Sequence, residues 1–171
     1  GLYRGHWQQI AQHVNGLVTE ATLPMAQQLT VLQQMADGTF TQQMTNEYKG
    51  DHARMKDEIN RLADIGQKAV VDVHHLRQAC CEGNIHYRIA EKGYTGDWKS
   101  IIHSFNCILD DMVTPVDVAL NVLQQMADGH LTLSITETFK GDHARLKEAI
   151  NRVSTNAQKT MLDIQSIVQA S

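Results

Sequence analysis

Nine histidines and three cysteines are the side chains of this 171-residue sequence best suited to chemistry. His103 and Cys107 stand four residues apart, the spacing that sets two metal ligands on one face of a helix. Both lie outside the apolar stripe of Ile101, Phe105 and Ile108, so a solvated or interface role is expected and a metal site is not. Cys80-Cys81 would serve as a redox sensor if a thiolate were stabilised there, or would bridge two chains near a symmetry axis. Adjacent cysteines rarely pair with each other without strain, and Cys80, Cys81 and Cys107 form no repeating framework, which points to a reducing compartment. No catalytic residue, cofactor or metal is expected. Asn15, Asn60, Asn106 and Asn151 each follow an apolar position, a pattern that suits a polar contact fixing the register of a helical bundle better than ligand binding. Met25, Met35, Met44 and Met55 read as adaptable core that could ease switching between packings.

The elements that must position these residues repeat. VLQQMADG occurs at Val31–Gly38 and again at Val122–Gly129, and the same offset carries KGDHAR from Lys49–Arg54 to Lys140–Arg145. Half of that offset aligns Gly38, Gly83 and Gly129 in one column and Asp51, Asp97 and Asp142 in another. Two and six places behind each Gly come Phe40 and Met44, Ile85 and Ile89, Leu131 and Ile135. Four, eight and eleven places behind each Asp come Met55, Ile59 and Leu62; Ile101, Phe105 and Ile108; Leu146, Ile150 and Val153. His6 occupies the Asp column of a truncated leading copy. The chain thus holds three complete units and the tail of a fourth, with bounds expected at 1–22, 23–66, 67–113, 114–160 and a final helix over 161–171.

Composition narrows the partners. A net charge of −4 gives no electrostatic footprint for nucleic acid, and no Lys/Arg cluster marks a membrane surface. No apolar run approaches the length of a bilayer span, and the opening residues do not resemble a signal peptide, so a soluble segment is expected. Aromatics at 5% and two prolines suit long helices better than sheet.

Apolar residues recur at three- and four-residue steps from His6 onward, the spacing of one helix face. Pro24 either opens a new helix or kinks a continuing one, and Gly38 closes that helix in the left-handed conformation. Residues 39–50 lack helical spacing. Twelve extended residues reach up to about 40 Å, whereas the helix from Pro24 to Asp37 is only about 21 Å long. The connector can therefore travel back along the helix, leaving the two helices of a unit parallel. Asp51 is placed to cap the next helix, which runs to Glu82 with Gly66 as its single possible break. Asp97 caps another helix toward Asp128, with Thr114-Pro115 expected to interrupt it halfway.

One apolar stripe per helix is too little for a core at this size, and self-association is the expected remedy. Two parallel helices from each of two chains, with Phe40 and Met44 packed into the grooves, would form a parallel four-helix bundle. The fold class expected is therefore all-α: stacked parallel four-helix coiled-coil bundles of a homodimer, two helices per unit joined by an extended connector.

With these residues in phase, the chain resembles a tandem array of HAMP domains, the relay modules of bacterial chemoreceptors and sensor histidine kinases. The carriers are Pro24 and Pro115 opening the first helix of a unit, the Gly38, Gly83 and Gly129 column, the connector pairs beginning at Phe40, Ile85 and Leu131, and the Gly-Asp steps ending at Asp51, Asp97 and Asp142. The middle unit departs by lacking the opening proline. The alternation of two unit types is similar to the poly-HAMP arrays of methyl-accepting receptors.

The resemblance implies a homodimeric, non-enzymatic relay in which an upstream sensor shifts each bundle between two packings and a downstream output module of the same chain reads the change. It implies a cytoplasmic location for this segment, in a parent protein either soluble or membrane-anchored, without nucleic acid or direct membrane contact. A methyl-accepting chemotaxis receptor is the favoured context, and the relay segment of a sensor histidine kinase is the alternative. A helical ligand- or haem-binding sensor, or a passive coiled-coil spacer, are readings from other classes. His74-His75-Leu76-Arg77 faintly echoes a kinase phosphoacceptor box but lacks its acidic neighbour and proline. Gln33-Gln34 and Gln124-Gln125 resemble methylation sites but sit within the repeated unit, as surface residues.

Overall fold

A computed structural model describes the backbone of residues 2–170 and the side chains of residues 5–170. Periodic apolar sequence becomes four helices: α1 Leu2–Ala36, α2 Asp51–Cys81, α3 Gly96–Ala127 and α4 Gly141–Gln169. No strand occurs among the described residues. The chain divides into two compact units, Gly1–Gln78 and Ala79–Ser171, with the division in the last turns of α2.

The glycine column closes α1, α2 and α3 as expected, by one device. Gly38, Gly83 and Gly129 take φ of 85°, 83° and 94°, a region that costs a residue with a Cβ. Around each, a pair of bonds reaches back over the helix end: Gly38 N–H to Met35 O and Thr39 N–H to Gln34 O, then Gly83 to Cys80 and Asn84 to Ala79, then Gly129 to Met126 and His130 to Gln125. This is the Schellman arrangement, which satisfies carbonyls that a helix end leaves orphaned.

The helix starts differ from expectation. The sequence predicts the aspartates as caps, yet α3 and α4 are preceded by Thr95 and Lys140 with no side-chain capping bond. Asp51, Asp97 and Asp142 sit inside the first turn, where a carboxylate favours the positive end of the helix dipole. The entry itself is made by Gly50, Gly96 and Gly141 at φ of 60°, 56° and 56°, so the glycine of each Gly-Asp step is the residue that steers the chain.

Neither proline begins or breaks a helix. Pro24 lies inside α1 and Pro115 inside α3, both buried. A proline in a helix leaves one carbonyl without its amide partner. Here that carbonyl belongs to an exposed residue, Glu20 or Asp111, where solvent can satisfy it, while the ring is covered. Gly66 likewise does not break α2.

In the first unit, Val31 and Met35 of α1, Met44 of the connector, and Ile59 and Ala63 of α2 form the core, with Phe40 and Tyr48 against it. Side-chain bonds give the direction of the connector. Gln43 meets Asp64, Met44 meets Asn60, and Thr45 and Asn46 meet Lys56, so the connector descends α2 as its own numbering rises. Asn46 and Tyr48 both hydrogen-bond Gln27, well back along α1 from its end. A connector antiparallel to both helices leaves the helices parallel.

The second unit repeats the pattern with Ala119, Val122 and Met126 of α3, Ile135 of the connector and Ile150 of α4; Val118, Leu133 and Phe139 pack against them. Residues 131, 133, 135 and 137 of that connector meet α4 at Gln158, Ser154, Asn151 and Lys147 in turn.

Candidate functional site

Asparagine carries an amide NH2 donor group and a carbonyl acceptor on a short stem, so it can mate with the N–H and C=O of a single backbone residue. All three connectors are held this way. Met44 N–H donates to Asn60 Oδ1 at 2.8 Å while Asn60 Nδ2 donates to Met44 O at 3.0 Å. Ile89 and Asn106 repeat it at 2.9 and 2.9 Å. Ile135 and Asn151 repeat it at 2.8 and 3.1 Å. An extended segment has no ladder of its own, and each buried backbone group left unpaired costs about 1–3 kcal/mol. The clasp removes two such costs at once and pins the residue whose side chain enters the core: Met44, Ile89 and Ile135 are 4%, 2% and 3% exposed. The asparagine column thus fixes a register, as its spacing suggests, but the register of connector on helix rather than of helix on helix.

Other ties distinguish the units. Lys56 donates to the carbonyls of Thr45 and Asn46, and Lys147 to those of Thr136 and Glu137. The corresponding position of the middle unit is Ile102, fully buried. There Arg88 grips Asp110 through Nε at 2.9 Å and Nη2 at 2.8 Å, and its Nη1 donates to the carbonyls of Ile85 and Tyr87. Glu91 of the same connector meets Lys99 at 3.9 Å and His103 at 2.8 Å on α3.

Of the residues singled out from sequence, the structure brings Phe40 and Met44 together in the first core and Ile135 into the last. Phe40 lies on Gly66, where an added Cβ would overlap its ring. Leu131 contributes through its carbonyl, which accepts bonds from Ser154 and Gln158, and the Ile85 carbonyl accepts one from Arg88. Asp51 and Asp142 remain at the surface in pairs with Arg54 and Arg145, contacts worth little in water. The lysine tie went unrecognised from sequence although Lys56 and Lys147 share the repeat offset. Glu91 beside His103 carried no signal, since nothing in their spacing announces a connector folded back onto a helix.

A helix, a returning connector pinned by backbone-reading asparagines, and a parallel second helix define a two-helix repeat module. The HAMP domain family profile matches residues 2–68 and 93–159, two spans separated by the same offset as the internal repeat, and the chain belongs to the HAMP domain family as a tandem array. HAMP domains are signal-transduction relay modules. No solved structure matches the chain. Among the described residues, no helix is long and apolar enough to cross a membrane.

Proposed function

We propose that this chain works as a parallel homodimeric relay, without catalysis of its own, between an upstream sensor and a downstream output module of a bacterial methyl-accepting chemotaxis receptor. The observation that carries the dimer is the apolar surface left over once each unit has packed. Met25, Leu29 and Leu32 on α1 and Met55 and Leu62 on α2 stay 39–59% exposed beside a filled intrachain core. The second unit leaves Ile108, Met112 and Leu120 of α3 and Val153 of α4 51–58% exposed. At about 25 cal/mol per Å² of apolar area removed from water, covering such a stripe is a large driving force. Parallel helix pairs meeting a second copy in register place like residues opposite one another. The receptor context is supported by the alternation of two unit types, with charged lysine ties in the outer units and the Arg88 and Glu91 contacts in the middle one.

Single cysteines at Leu32, Leu62, Ile108 and Val153, in a background with Cys80, Cys81 and Cys107 replaced, test the arrangement. Same-residue crosslinks at all four are expected, with none at the intrachain-buried Ile59. A monomer, or crosslinks only between unlike positions, overturns it. In the parent protein, control of a separate kinase distinguishes a receptor from a sensor kinase that phosphorylates its own chain.

A further inference from the structure

Beside the clasp of Ile89 by Asn106, three side chains come into line. His103 Nδ1 lies 2.8 Å from Glu91 Oε1, and its other ring nitrogen, Nε2, lies 3.4 Å from Cys107 Sγ. An ionised carboxylate can only accept, so Nδ1–H donates to Glu91; in the neutral ring that places the lone pair of Nε2 toward the thiol. Nucleophile, base and orienting acid stand in the order that base-assisted thiol chemistry requires. The arrangement does not suit a metal. Glu91 engages the nitrogen on the far side of the ring from Cys107, and among the described residues no three His, Cys, Asp or Glu side chains converge to hold an ion.

We infer that Cys107 is a peroxide-reactive thiol, with His103 as its base and Glu91 as the residue that orients it. Its place favours a small neutral oxidant. Cys107 is partly covered, while His103 is 64% exposed. Cys107 is also turned about 100° around α3 from Ile108, off the apolar stripe assigned to the second copy. In the outer units the corresponding positions hold Arg61 and Arg152, so the thiol belongs to the middle unit alone.

In the step itself, the sulfur attacks one oxygen of hydrogen peroxide as Nε2 accepts the thiol proton. The O–O bond breaks, and the departing hydroxide takes that proton and leaves as water. Sulfur is oxidised by two electrons, peroxide is reduced, and Cys107 becomes a sulfenic acid. The product replaces the S–H facing His103 with a bulkier S–O–H, next to the residue that clasps Ile89. Oxidation therefore acts where connector and helix are joined.

The chain contains its own controls. Cys80 and Cys81 are more exposed than Cys107, and neither thiol hydrogen-bonds an imidazole among the described residues. The experiment treats the reduced intact chain with limiting hydrogen peroxide, traps sulfenic acid with a cyclic 1,3-diketone, and quantifies labelled peptides by mass spectrometry. Base assistance predicts that Cys107 labels at least about tenfold faster than Cys80 or Cys81. His103→Ala should bring Cys107 down to their rate, and added imidazole should restore part of the difference, which a merely structural histidine would not allow. Glu91→Gln should lower the rate less. Equal labelling of all three thiols, a His103→Ala variant as fast as the parent, or no rescue by imidazole overturns the assignment. Unchanged hydrogen exchange at Ile89 in each variant verifies that the clasp is intact.

Discussion

The first and last units share their turns almost letter for letter yet fill their interiors differently. Gln27 accepts bonds from Tyr48 and Asn46 in the first; Val118 and Phe139 stand at the positions of Gln27 and Tyr48 in the last and pack as apolar groups. Phe40 lies against Gly66, where the last unit has Leu131 and Ala157, a smaller residue against a larger one. Gln28 is buried with its amide nitrogen unpartnered, and Ala119 replaces it. Ala63 is replaced by Ser154, whose hydroxyl lies 2.8 Å from the Leu131 carbonyl and 2.6 Å from that of Leu133. The connector clasp is common to both units. Each core thus buries one polar side chain on the same framework, but the hydroxyl of Ser154 is satisfied by the connector whereas the amide nitrogen of Gln28 is not.

Removing the common element should have the largest effect. Asn60→Ala or Asn151→Ala strips two backbone groups of their partners and is expected to cost about 2–3 kcal/mol. Hydrogen exchange should show amide protection lost at Met44 in the first variant and at Ile135 in the second, each leaving the other unit protected. Loss in both units together would show that the clasps are not independent.

A smaller effect sharpens the contrast of fill. Gly66→Ala should cost about 1–2 kcal/mol through overlap with Phe40, despite the better helix propensity of alanine. Adding Phe40→Leu recreates the Leu131 and Ala157 pair and should turn the loss into a gain of up to about 1 kcal/mol. Denaturant midpoints of the two single variants and the double variant measure that coupling, and simple additivity would break the size-exchange argument. Smallest of all, Gln28→Met keeps the volume and removes the unpartnered amide, so a gain of about 1 kcal/mol is expected in thermal or chemical unfolding. A loss there would mean that Gln28 has a partner in the assembled protein.

The four helices, their glycine ends and the parallel unit were legible in the sequence. Periodicity marks a buried face, and a connector too long for a tight turn implies a return path. Pro24 falls in a continuing helix, one of its two expected alternatives, whereas the interruption expected at Pro115 does not occur: sequence shows the bond a proline removes, while burial of its ring is a tertiary fact. The aspartates misled for a related reason: Asp51 and Gly50 both signal a helix start, and only the backbone angle shows that glycine makes the turn. The asparagines were recognised as register-setting, but their partner is a main-chain residue with no sequence signature. Glu91 reaches His103 only once the connector has folded back.

The clasp recognises peptide groups, which every residue but proline possesses alike, and is indifferent to the side chain it holds. A duplicated unit is thereby free to drift in its interior without forfeiting its lock. Modules with different interiors can accumulate in a single chain, and a designer could exchange connectors between them as interchangeable cassettes, changing the packing of one unit while leaving its fastening untouched.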